Sequence, residues 1–338
     1  MQPRGLEARY AEALGAEIAA HAWQWVPETL YIGGGTPSGI EVDAFAAVIA
    51  SVPGRPWLEA TIEAAPGSFD EAKIVAWVRA GINRVSLGVQ SFNKRELART
   101  GRRHDAAVVE RDIELLRGAG ISNINIDLIA GLPGQTEETW RGSVAATIAL
   151  AVPHVSVYML EVDDDSRLGS EILLGGQKYG AMDVPSDDDM AGFYEFAVEE
   201  LSRHGIHRYE ISNFAVKGAE SLHNLKYWRR EAYVGFGSDA HSFDGQVRWQ
   251  NPESAADYVD RGASRVDSVE ADAVEEKFFV GLRMTEGVAA GEADWARFGG
   301  VFERFLSEGM LERSGERLRL TPRGIMVSNE IFQEFIGA

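Results

Sequence analysis

The fold is decided by the stretch TLYIGGGTP at residues 29–37, where an apolar run of strand length meets three consecutive glycines. Three glycines let the backbone approach a ligand closely and leave N–H groups pointing outward, an arrangement that binds a carboxylate or a phosphate. A plain tight turn explains the same pattern equally well. Neither GKS/T nor GxGxxG spacing is present in this stretch, so it is not a Walker or Rossmann loop.

On both sides of this stretch, apolar runs of strand length alternate with helical patterns. The strand-like runs are residues 29–32, 57–64, 84–89, 123–129, 154–160 and 207–211, and the helix-like stretches are 43–51, 70–79, 105–117, 137–150 and 188–203. Six strands that alternate with helices predict βα units and a parallel sheet. An amphipathic helix over residues 6–25, ended by Pro27, precedes them.

Polar side chains stand at or near the carboxyl ends of these strand-like runs. Glu63 and Gln90 close two of them, Arg102 follows, and Asp127 interrupts the apolar run NIDLI. Ligand sites in such sheets lie at the carboxyl ends of the strands. Because a charged residue in a buried strand is costly unless it is paired or contacts a ligand, Asp127 is either a ligand contact or half of a structural ion pair. Together with the glycines, these groups suit a ligand that has an amino-acid and a nucleoside moiety.

The alternation stops near residue 214, and residues 221–243 are rich in aromatic residues, histidine and glycine without a clear period. Helices are predicted at 275–284, 295–308 and 321–335, with a hairpin of 311–313 and 317–320 around Ser314-Gly315. We therefore predict a barrel core at 1–214, a connecting segment at 215–269 and a small winged-helix-like α+β domain at 270–338. The aspartate runs at 163–165 and 187–189 are predicted to lie in helix caps or loops.

Composition excludes several classes of function. The 338 residues carry 33 basic and 52 acidic side chains, a formal net charge of −19, which argues against a long nucleic-acid track. The chain has no cysteine, which removes disulfides, thiolate zinc sites, cysteine nucleophiles and cysteine-ligated clusters. No stretch approaches the roughly 20 apolar residues of a membrane span, and residues 1–25 fit neither a signal peptide nor an anchor. We expect a cytoplasmic protein.

Three motifs together resemble a known family. YIGGGTPS at 31–38, RVSLGVQSF at 84–92 and NIDLIAGLPGQT at 125–136 are similar to radical S-adenosylmethionine (SAM) proteins related to oxygen-independent coproporphyrinogen III oxidase. The likeness covers nearly the whole chain. The later motifs YEISNF at 209–214, HNLKYW at 223–228 and GLRMTEG at 281–287 resemble the heme chaperone branch rather than the oxidase itself.

The resemblance implies an α/β fold, a partial (βα)₆ radical SAM barrel with its first strand missing, and SAM lying across the strand ends. It also implies a role for each matching residue. The aminoacyl end of SAM would meet Gly34, Gly35 and Thr36, its ammonium Glu63, its methionyl and ribose portions Gln90 and Arg102, and its ribose Asp127.

The sequence departs from the family at its start. Family members begin with a strand leading into a CxxxCxxC loop that holds a [4Fe–4S] cluster, whereas this chain starts in the helix that follows such a loop and has no cysteine. Three explanations compete: the sequence starts too late, a natural descendant lost the cluster, or a truncated relative serves only for binding. The late start has most support, because the downstream site residues are intact. Without the preceding strand, residues 29–33 form an exposed edge, so we expect lower stability and more association than with it.

His223 in the HNLKYW motif is the remaining chemical candidate. Histidine is a common heme ligand, and Tyr227, Trp228 and Tyr233 offer flat apolar surface to a porphyrin. The resemblance implies heme binding at this motif, whereas a histidine among aromatic residues is more often a packing residue. His241 is a second possibility.

The sequence thus predicts a heme chaperone that binds heme and delivers it to client proteins, with a SAM-binding barrel and no nucleic-acid partner. A homodimer stays open. The alternative is a coproporphyrinogen III oxidase-type radical SAM enzyme, inactive in this cysteine-free form. A third hypothesis is a module that senses SAM without a cluster. No catalytic dyad or triad stands out in the sequence.

Overall fold

The computed structural model describes residues 5–35, 37–161, 171, 174 and 178–337. Its strands are β1 Thr29–Ile32, β2 Glu59–Ala64, β3 Arg84–Gln90, β4 Asn123–Ala130, β5 His154–Met159, β6 His207–Arg208, β7 Asn213–Ala215, β8 His241–Phe243, β9 Val247–Gln250, β10 Val266–Glu270, β11 Val288–Ala289, β12 Leu311–Ser314 and β13 Arg317–Leu320. Its helices are α1 Leu6–Ala20, α2 Val42–Ala50, α3 Glu71–Ala80, α4 Lys94–Arg99, α5 Ala106–Gly118, α6 Glu137–Ala149, α7 Asp187–Arg203, α8 Leu222–Trp228, α9 Ala255–Arg261, α10 Ala273–Gly281, α11 Glu292–Ser307, α12 Pro322–Met326 and α13 Ser328–Gln333.

Contacts divide the described residues into two compact units. The sheet unit comprises residues within 31–39 and 59–220, and the terminal unit comprises residues within 1–30, 40–58 and 221–338. The three-part division predicted above, at 1–214, 215–269 and 270–338, stays a prediction. Among the described residues, no helix combines the length and the apolar character that a membrane crossing requires.

The sheet unit is built on a seven-stranded sheet with the order β1-β2-β3-β4-β5-β7-β6. The pairs β2–β3, β3–β4 and β4–β5 are parallel, and α3, α5 and α6 fall between consecutive strands. Apolar residues of the central strands, such as Ile62, Val85 and Ile126, are fully buried. Burial on both faces is typical of parallel sheets, and the predicted α/β class with a parallel sheet is confirmed.

The sixth predicted strand differs from expectation. Instead of running over 207–211, it stops at Arg208, and the chain returns as β7, which pairs antiparallel with both β6 and β5. The cause is a polar turn. The Glu210 carboxylate accepts hydrogen bonds from the Ser212 N–H at 2.9 Å and from Asn213 Nδ2 at 2.6 Å. These bonds close the turn, so the chain reverses instead of continuing the strand.

Helix ends also differ from the periodic pattern. α1 ends at Ala20 because His21 adopts an extended backbone, with φ −68° and ψ 128°. The helix expected at 321–335 splits at Val327, whose φ of −122° and ψ of 31° leave the helical region. The aspartate run at 187–189 forms the first turn of α7 behind the capping Ser186. The run at 163–165 lies outside the described residues.

The terminal unit contains two three-stranded antiparallel sheets, β10-β9-β8 and β11-β13-β12. The first was missed because its strands are short and show no regular alternation. In the second, the predicted hairpin pairs β12 with β13. The nearby helices bury a cluster of four phenylalanine rings, whose centroids lie 5.0 to 6.1 Å apart: Phe278, Phe298, Phe302 and Phe335.

Glu276 forms a buried ionic centre in the terminal unit. Its side chain is 6% exposed and receives Arg230 Nε at 2.8 Å and Arg248 Nε at 2.6 Å. Burial alone would raise the pKa of Glu276, but the hydrogen bonds from Arg248 and Arg230 outweigh it and hold that pKa below its ordinary value. The carboxylate therefore ties α10 to β9 and to the turn after α8.

We expect Glu276→Gln to lower the free energy of unfolding by about 2–3 kcal/mol at pH 7. This is below the roughly 3–5 kcal/mol lost when fully buried pairs are broken, because the Arg248 side chain is 33% exposed. A carboxylate with a depressed pKa stabilises the fold above the unfolded-state value of about 4.3 and loses this effect as the pH falls through its lower folded-state pKa. Urea melts should therefore show the difference from wild type shrinking below about pH 4.

The matched control is Glu316→Gln, because Glu316 is exposed in the turn between β12 and β13. Its unfolding free energy should stay within about 0.5 kcal/mol of wild type. If Glu276→Gln behaves like this control, the ion pairs do not stabilise the terminal unit.

Candidate functional site

The glycine loop follows β1 and lies beside Glu63 of β2. Glu63 Oε1 accepts a hydrogen bond from Tyr31 Oη at 2.7 Å, and Oε2 accepts one from the Gly34 N–H at 3.2 Å. Gly34 and Gly35 have φ values of 81° and 60°, and a Cβ on either would meet open space. A Cβ on Gly33, in contrast, would lie 2.8 Å from the Tyr31 ring and 3.0 Å from Glu63 Oε1. The loop thus brings its backbone next to a carboxylate and leaves room for a ligand. Thr36 lies outside the described residues.

Asp127 lies in β4 between two fully buried residues, yet part of its own side chain remains accessible. Its Oδ1 accepts a hydrogen bond from Asn125 Nδ2 at 2.7 Å, and its Oδ2 accepts one from Ser86 Oγ at 3.0 Å. Burial raises the pKa of Asp127 above its ordinary value, against the lowering effect of these two hydrogen bonds. A carboxylate has about four acceptor positions, so Asp127 keeps capacity for ligand hydroxyl groups.

Gln90 and Arg102 converge above Gly88 of β3. A Cβ on Gly88 would lie 3.1 Å from Gln90 Nε2 and 3.6 Å from Arg102 Nη1, and Arg102 Nη1 donates to the Gly88 carbonyl at 3.0 Å. Gln90 has a φ of 70°, a left-handed conformation that is uncommon outside glycine. Burial lowers the pKa of Arg102, and the Asp127 charge partly offsets this.

The structure thus brings the predicted groups of the sheet unit to one region. The parallel registers set Glu63 beside Ser86 and Ser86 beside Asn125, two residues before Asp127. The Glu63 charge contributes to the raised pKa of Asp127, so the two carboxylates interact electrostatically. Two carboxylates, an amide, a guanidinium and the accessible backbone of the glycine loop can bind a zwitterionic ligand that also carries hydroxyl groups.

Sequence reasoning missed the residues that hold these carboxylates. Tyr31, Ser86 and Asn125 each donate a hydrogen bond to Glu63 or Asp127. For Ser86 and Asn125 the sequence does contain a signal, because polar residues recur at every second position of the otherwise apolar strands β3, β4 and β5. They are Arg84, Ser86, Asn123, Asn125, Asp127, His154 and Ser156.

The network continues behind Asp127 to a buried histidine. His154 Nδ1 lies 2.6 Å from Asn125 Oδ1, and His154 Nε2 lies 2.9 Å from Tyr209 Oη. Because the Asn125 nitrogen donates to Asp127, its oxygen must accept, so His154 carries its proton on Nδ1 and accepts from Tyr209. Burial lowers the pKa of His154 well below its ordinary value, and the imidazole is neutral.

His223 lies in the first turn of α8, within the terminal unit. Its Nδ1 is 2.9 Å from Thr29 Oγ1 and its Nε2 is 2.9 Å from Tyr227 Oη. The Tyr227 ring meets the Tyr233 ring edge to face at 4.6 Å, and burial raises the pKa of Tyr227 to about 12. Both imidazole nitrogens have hydroxyl partners, so coordination of a metal requires the release of one hydrogen bond. The second candidate, His241, is exposed in β8.

The residues do not fit a [4Fe–4S] cluster. Such clusters are held by thiolates in nearly all proteins, and the sequence contains no cysteine. Among the residues that the structure describes, no three His, Asp or Glu side chains come together in a way that could hold a metal ion.

Two family models match parts of the chain. The model of the radical SAM superfamily matches residues 2–145, and that of the HemN C-terminal domain matches residues 270–327. The heme chaperone HemW of Lactococcus lactis is 32% identical over 91% of this chain and 84% of its own length. HemW of Bacillus subtilis is 33% identical over 92% and 86%, and HemW of Escherichia coli is 30% identical over 91% and 84%.

Among solved structures, the coproporphyrinogen III oxidase HemN from Escherichia coli, a radical SAM enzyme, is similar with a TM-score of 0.84. The match covers 100% of this chain and 85% of that one at 19% sequence identity, a level that shows the fold alone. The identities to the HemW proteins extend over most of both chains, and they carry the assignment. The chain belongs to the HemW family of radical SAM proteins.

Proposed function

We propose that this protein is a heme chaperone that binds heme and delivers it to client proteins, and that its barrel binds SAM. The relatives named heme chaperones match more than 90% of the chain. The observation that carries the proposal is the setting of His223, whose imidazole is held by two hydroxyl groups among aromatic rings. Delivery needs an axial ligand that can dissociate from the iron, and it does not require acid–base catalytic residues.

Heme would bind at the HNLKYW helix, with His223 on the iron and the Tyr227 and Tyr233 rings beside the porphyrin. For Nε2 to reach iron, the Tyr227 hydroxyl must turn away. A hydrogen bond to a neutral hydroxyl contributes about 0.5–1.5 kcal/mol net, so the exchange is inexpensive in both directions. The ligand is therefore suited to both capture and release.

In the sheet unit, SAM would lie across the strand ends. Gly34, Gly35 and Thr36 would take its aminoacyl end, and Glu63 its ammonium, since Glu63 is the carboxylate beside the glycine loop. Asp127 would accept hydrogen bonds from the ribose hydroxyls, with Gln90 and Arg102 between the two ends. The radical SAM family implies a [4Fe–4S] cluster as well, but these residues supply no thiolate for one.

A second candidate function is a coproporphyrinogen III oxidase-type radical SAM enzyme. It would share its fold with HemN, but a shared fold does not decide the activity. In this cysteine-free form it would be inactive, and the HemW relatives favour the chaperone.

Asp127→Asn should weaken adenosine binding at least about tenfold, or about 1.4 kcal/mol, in isothermal titration calorimetry. The new side-chain amide has one acceptor oxygen fewer than the carboxylate. Its NH₂ group would also face Asn125 Nδ2, so that two donors meet. Glu63→Gln should weaken S-adenosylhomocysteine but leave adenosine unchanged, since adenosine has no ammonium group. Because the ionised carboxylate is the better acceptor and burial raises the pKa of Asp127, the adenosine affinity of wild type should grow as the pH rises above about 4.

Asp43→Asn is the control, because Asp43 is exposed in α2. Its affinities should equal those of wild type. Unchanged adenosine binding in Asp127→Asn would remove Asp127 from the ribose site, and no binding of either ligand to wild type would contradict a SAM site in this chain.

His223→Ala should remove one equivalent of hemin from a titration followed by the Soret band. Tyr227→Phe should bind that equivalent more tightly than wild type, because the hydroxyl no longer competes with iron for Nε2. His204→Ala, at the exposed end of α7, is the matched control. If His223→Ala keeps the full hemin capacity, His223 is a packing residue.

A further inference from the structure

The chain makes a strained turn at the end of β3. Gln90, the last residue of that strand, has a φ of 70°, and the Ser91 N–H donates a hydrogen bond to the Val89 carbonyl at 2.9 Å. A hydrogen bond that closes around one residue of positive φ defines a γ-turn of the rare, strained kind. The turn sets the Gln90 amide over Gly88, beside the Arg102 guanidinium. Strain of this kind persists only where neighbouring groups hold it.

The groups that hold this turn include a buried carboxyl group. The Ser91 hydroxyl donates a hydrogen bond to Glu96 Oε2 at 2.6 Å. The Phe92 N–H donates to Ser143 Oγ of α6 at 3.1 Å. Glu96 lies in α4 and is 1% exposed, and Ser91 is fully buried. The residue that follows Gln90 is therefore tied to the interior of the sheet unit by its side chain.

The same carboxyl oxygen also holds the loop that follows β4. Gln135 Nε2 donates to Glu96 Oε2 at 3.2 Å and to the Ile129 carbonyl at 3.1 Å. Gln135 Oε1 accepts a hydrogen bond from the Gly131 N–H at 2.6 Å. Glu96 thus joins the turn after β3 to the loop after β4, the strand that carries Asp127. Both segments follow the carboxyl ends of their strands, which is where ligands bind in such sheets.

Stability alone does not explain a carboxyl group at this position. The two groups that donate to Glu96 are a neutral hydroxyl and a neutral amide, and its Oε1 is buried without a hydrogen-bond partner among the described residues. Burial of a carboxyl group with so few partners costs free energy, whereas apolar replacement of a buried polar group and its partners is often neutral or stabilising. Exceptions to such rules are found mainly at functional sites.

We propose that Glu96 is a positioning residue of the SAM site, which holds Gln90 in its strained conformation through Ser91. This inference rests on the proposed function, in which Gln90 contacts SAM between its two ends. Glu96 itself is too buried to touch the ligand. It strengthens binding because the Gln90 amide is already oriented when the ligand arrives, so that no free energy is lost in forming the turn.

The test is a double-mutant cycle measured with S-adenosylhomocysteine by isothermal titration calorimetry. Glu96→Ala and Gln90→Ala should each weaken binding about tenfold. The double variant should bind no more weakly than Gln90→Ala alone, because Glu96 acts on the ligand only through Gln90. If Glu96 had a merely structural role, its removal would weaken binding in both backgrounds.

Further variants separate positioning from folding. Glu96→Gln should bind within about twofold of wild type, because its side-chain oxygen still accepts from Ser91 and Gln135. Ser91→Ala removes the link to the turn without deleting a large side chain, so it should show the same loss and the same cycle even if Glu96→Ala does not fold. Glu110→Ala is the control, because Glu110 is exposed in α5, and it should bind like wild type.

Hydrogen exchange tests the turn in the free protein. The Ser91 N–H should exchange with solvent faster in Glu96→Ala than in wild type, since the turn to which it belongs opens more often without the carboxyl group. In Glu96→Gln and Glu110→Ala it should exchange at the wild-type rate. Equal exchange in wild type and in Glu96→Ala would mean that Glu96 does not hold the turn.

The outcomes separate this inference from the proposed SAM site. If wild type and Glu96→Ala bind S-adenosylhomocysteine equally well, Glu96 is not a positioning residue and the SAM site stands. Additive losses in the double variant also overturn the inference, and so does a Glu96→Gln variant that binds as weakly as Glu96→Ala. If wild type binds no S-adenosylhomocysteine, the SAM site itself falls and the inference falls with it.

Discussion

The sheet unit depends on one constraint, the cost of a carboxylate inside a parallel strand. Asp127 sits in β4 between fully buried residues, where an ionised group without partners would cost several kcal/mol. The amide of Asn125 and the hydroxyl of Ser86 offset this cost by donating hydrogen bonds to the carboxylate. Because these partners are neutral donors, they stabilise the ionised carboxylate without adding a positive charge, and burial still raises the pKa of Asp127.

The Asn125 amide can donate to Asp127 only if its oxygen is turned away and satisfied elsewhere. His154 satisfies it through Nδ1, and Tyr209 fixes the His154 tautomer through Nε2. Tyr209 belongs to the polar turn that Glu210 closes, and Asn213 of the same turn accepts a hydrogen bond from Ser156 at 2.7 Å. The reversal of the chain at β7 is therefore part of the support of Asp127, because it brings these donors and acceptors to β5. A directed chain of hydrogen bonds of this kind fixes one geometry where an apolar core would accept several.

Much of this architecture can be predicted from the sequence, because βα alternation is a local pattern. The bounds of β1 at Thr29–Ile32 and the start of β4 at Asn123 follow from apolar runs. The candidates Glu63, Gln90, Arg102 and Asp127 follow from their places along the predicted strands and from the family resemblance. The network of Asn125, His154 and Tyr209 could not be predicted in the same way. Its contacts join residues that are 29 and 55 positions apart, and no local propensity records them. The β8–β10 sheet was not predicted for a different reason: strands of three to five residues are too short to show a periodic alternation of apolar and polar residues.

The terminal unit uses histidine in a different way from the sheet unit. His154 is fully buried and its partners fix a single tautomer, so it is a structural element that has little freedom to titrate or to bind metal. His223 is held by hydroxyl groups, which can donate or accept a hydrogen bond, so these two partners do not fix its tautomer. A carboxylate partner would have bound the imidazole more strongly, since hydrogen bonds to charged groups contribute about 1.5–3 kcal/mol, and it would have resisted exchange for iron. The hydrogen bonds with Thr29 and Tyr227 therefore hold the imidazole more weakly than an acidic partner would, which supports the proposal that His223 is a releasable ligand.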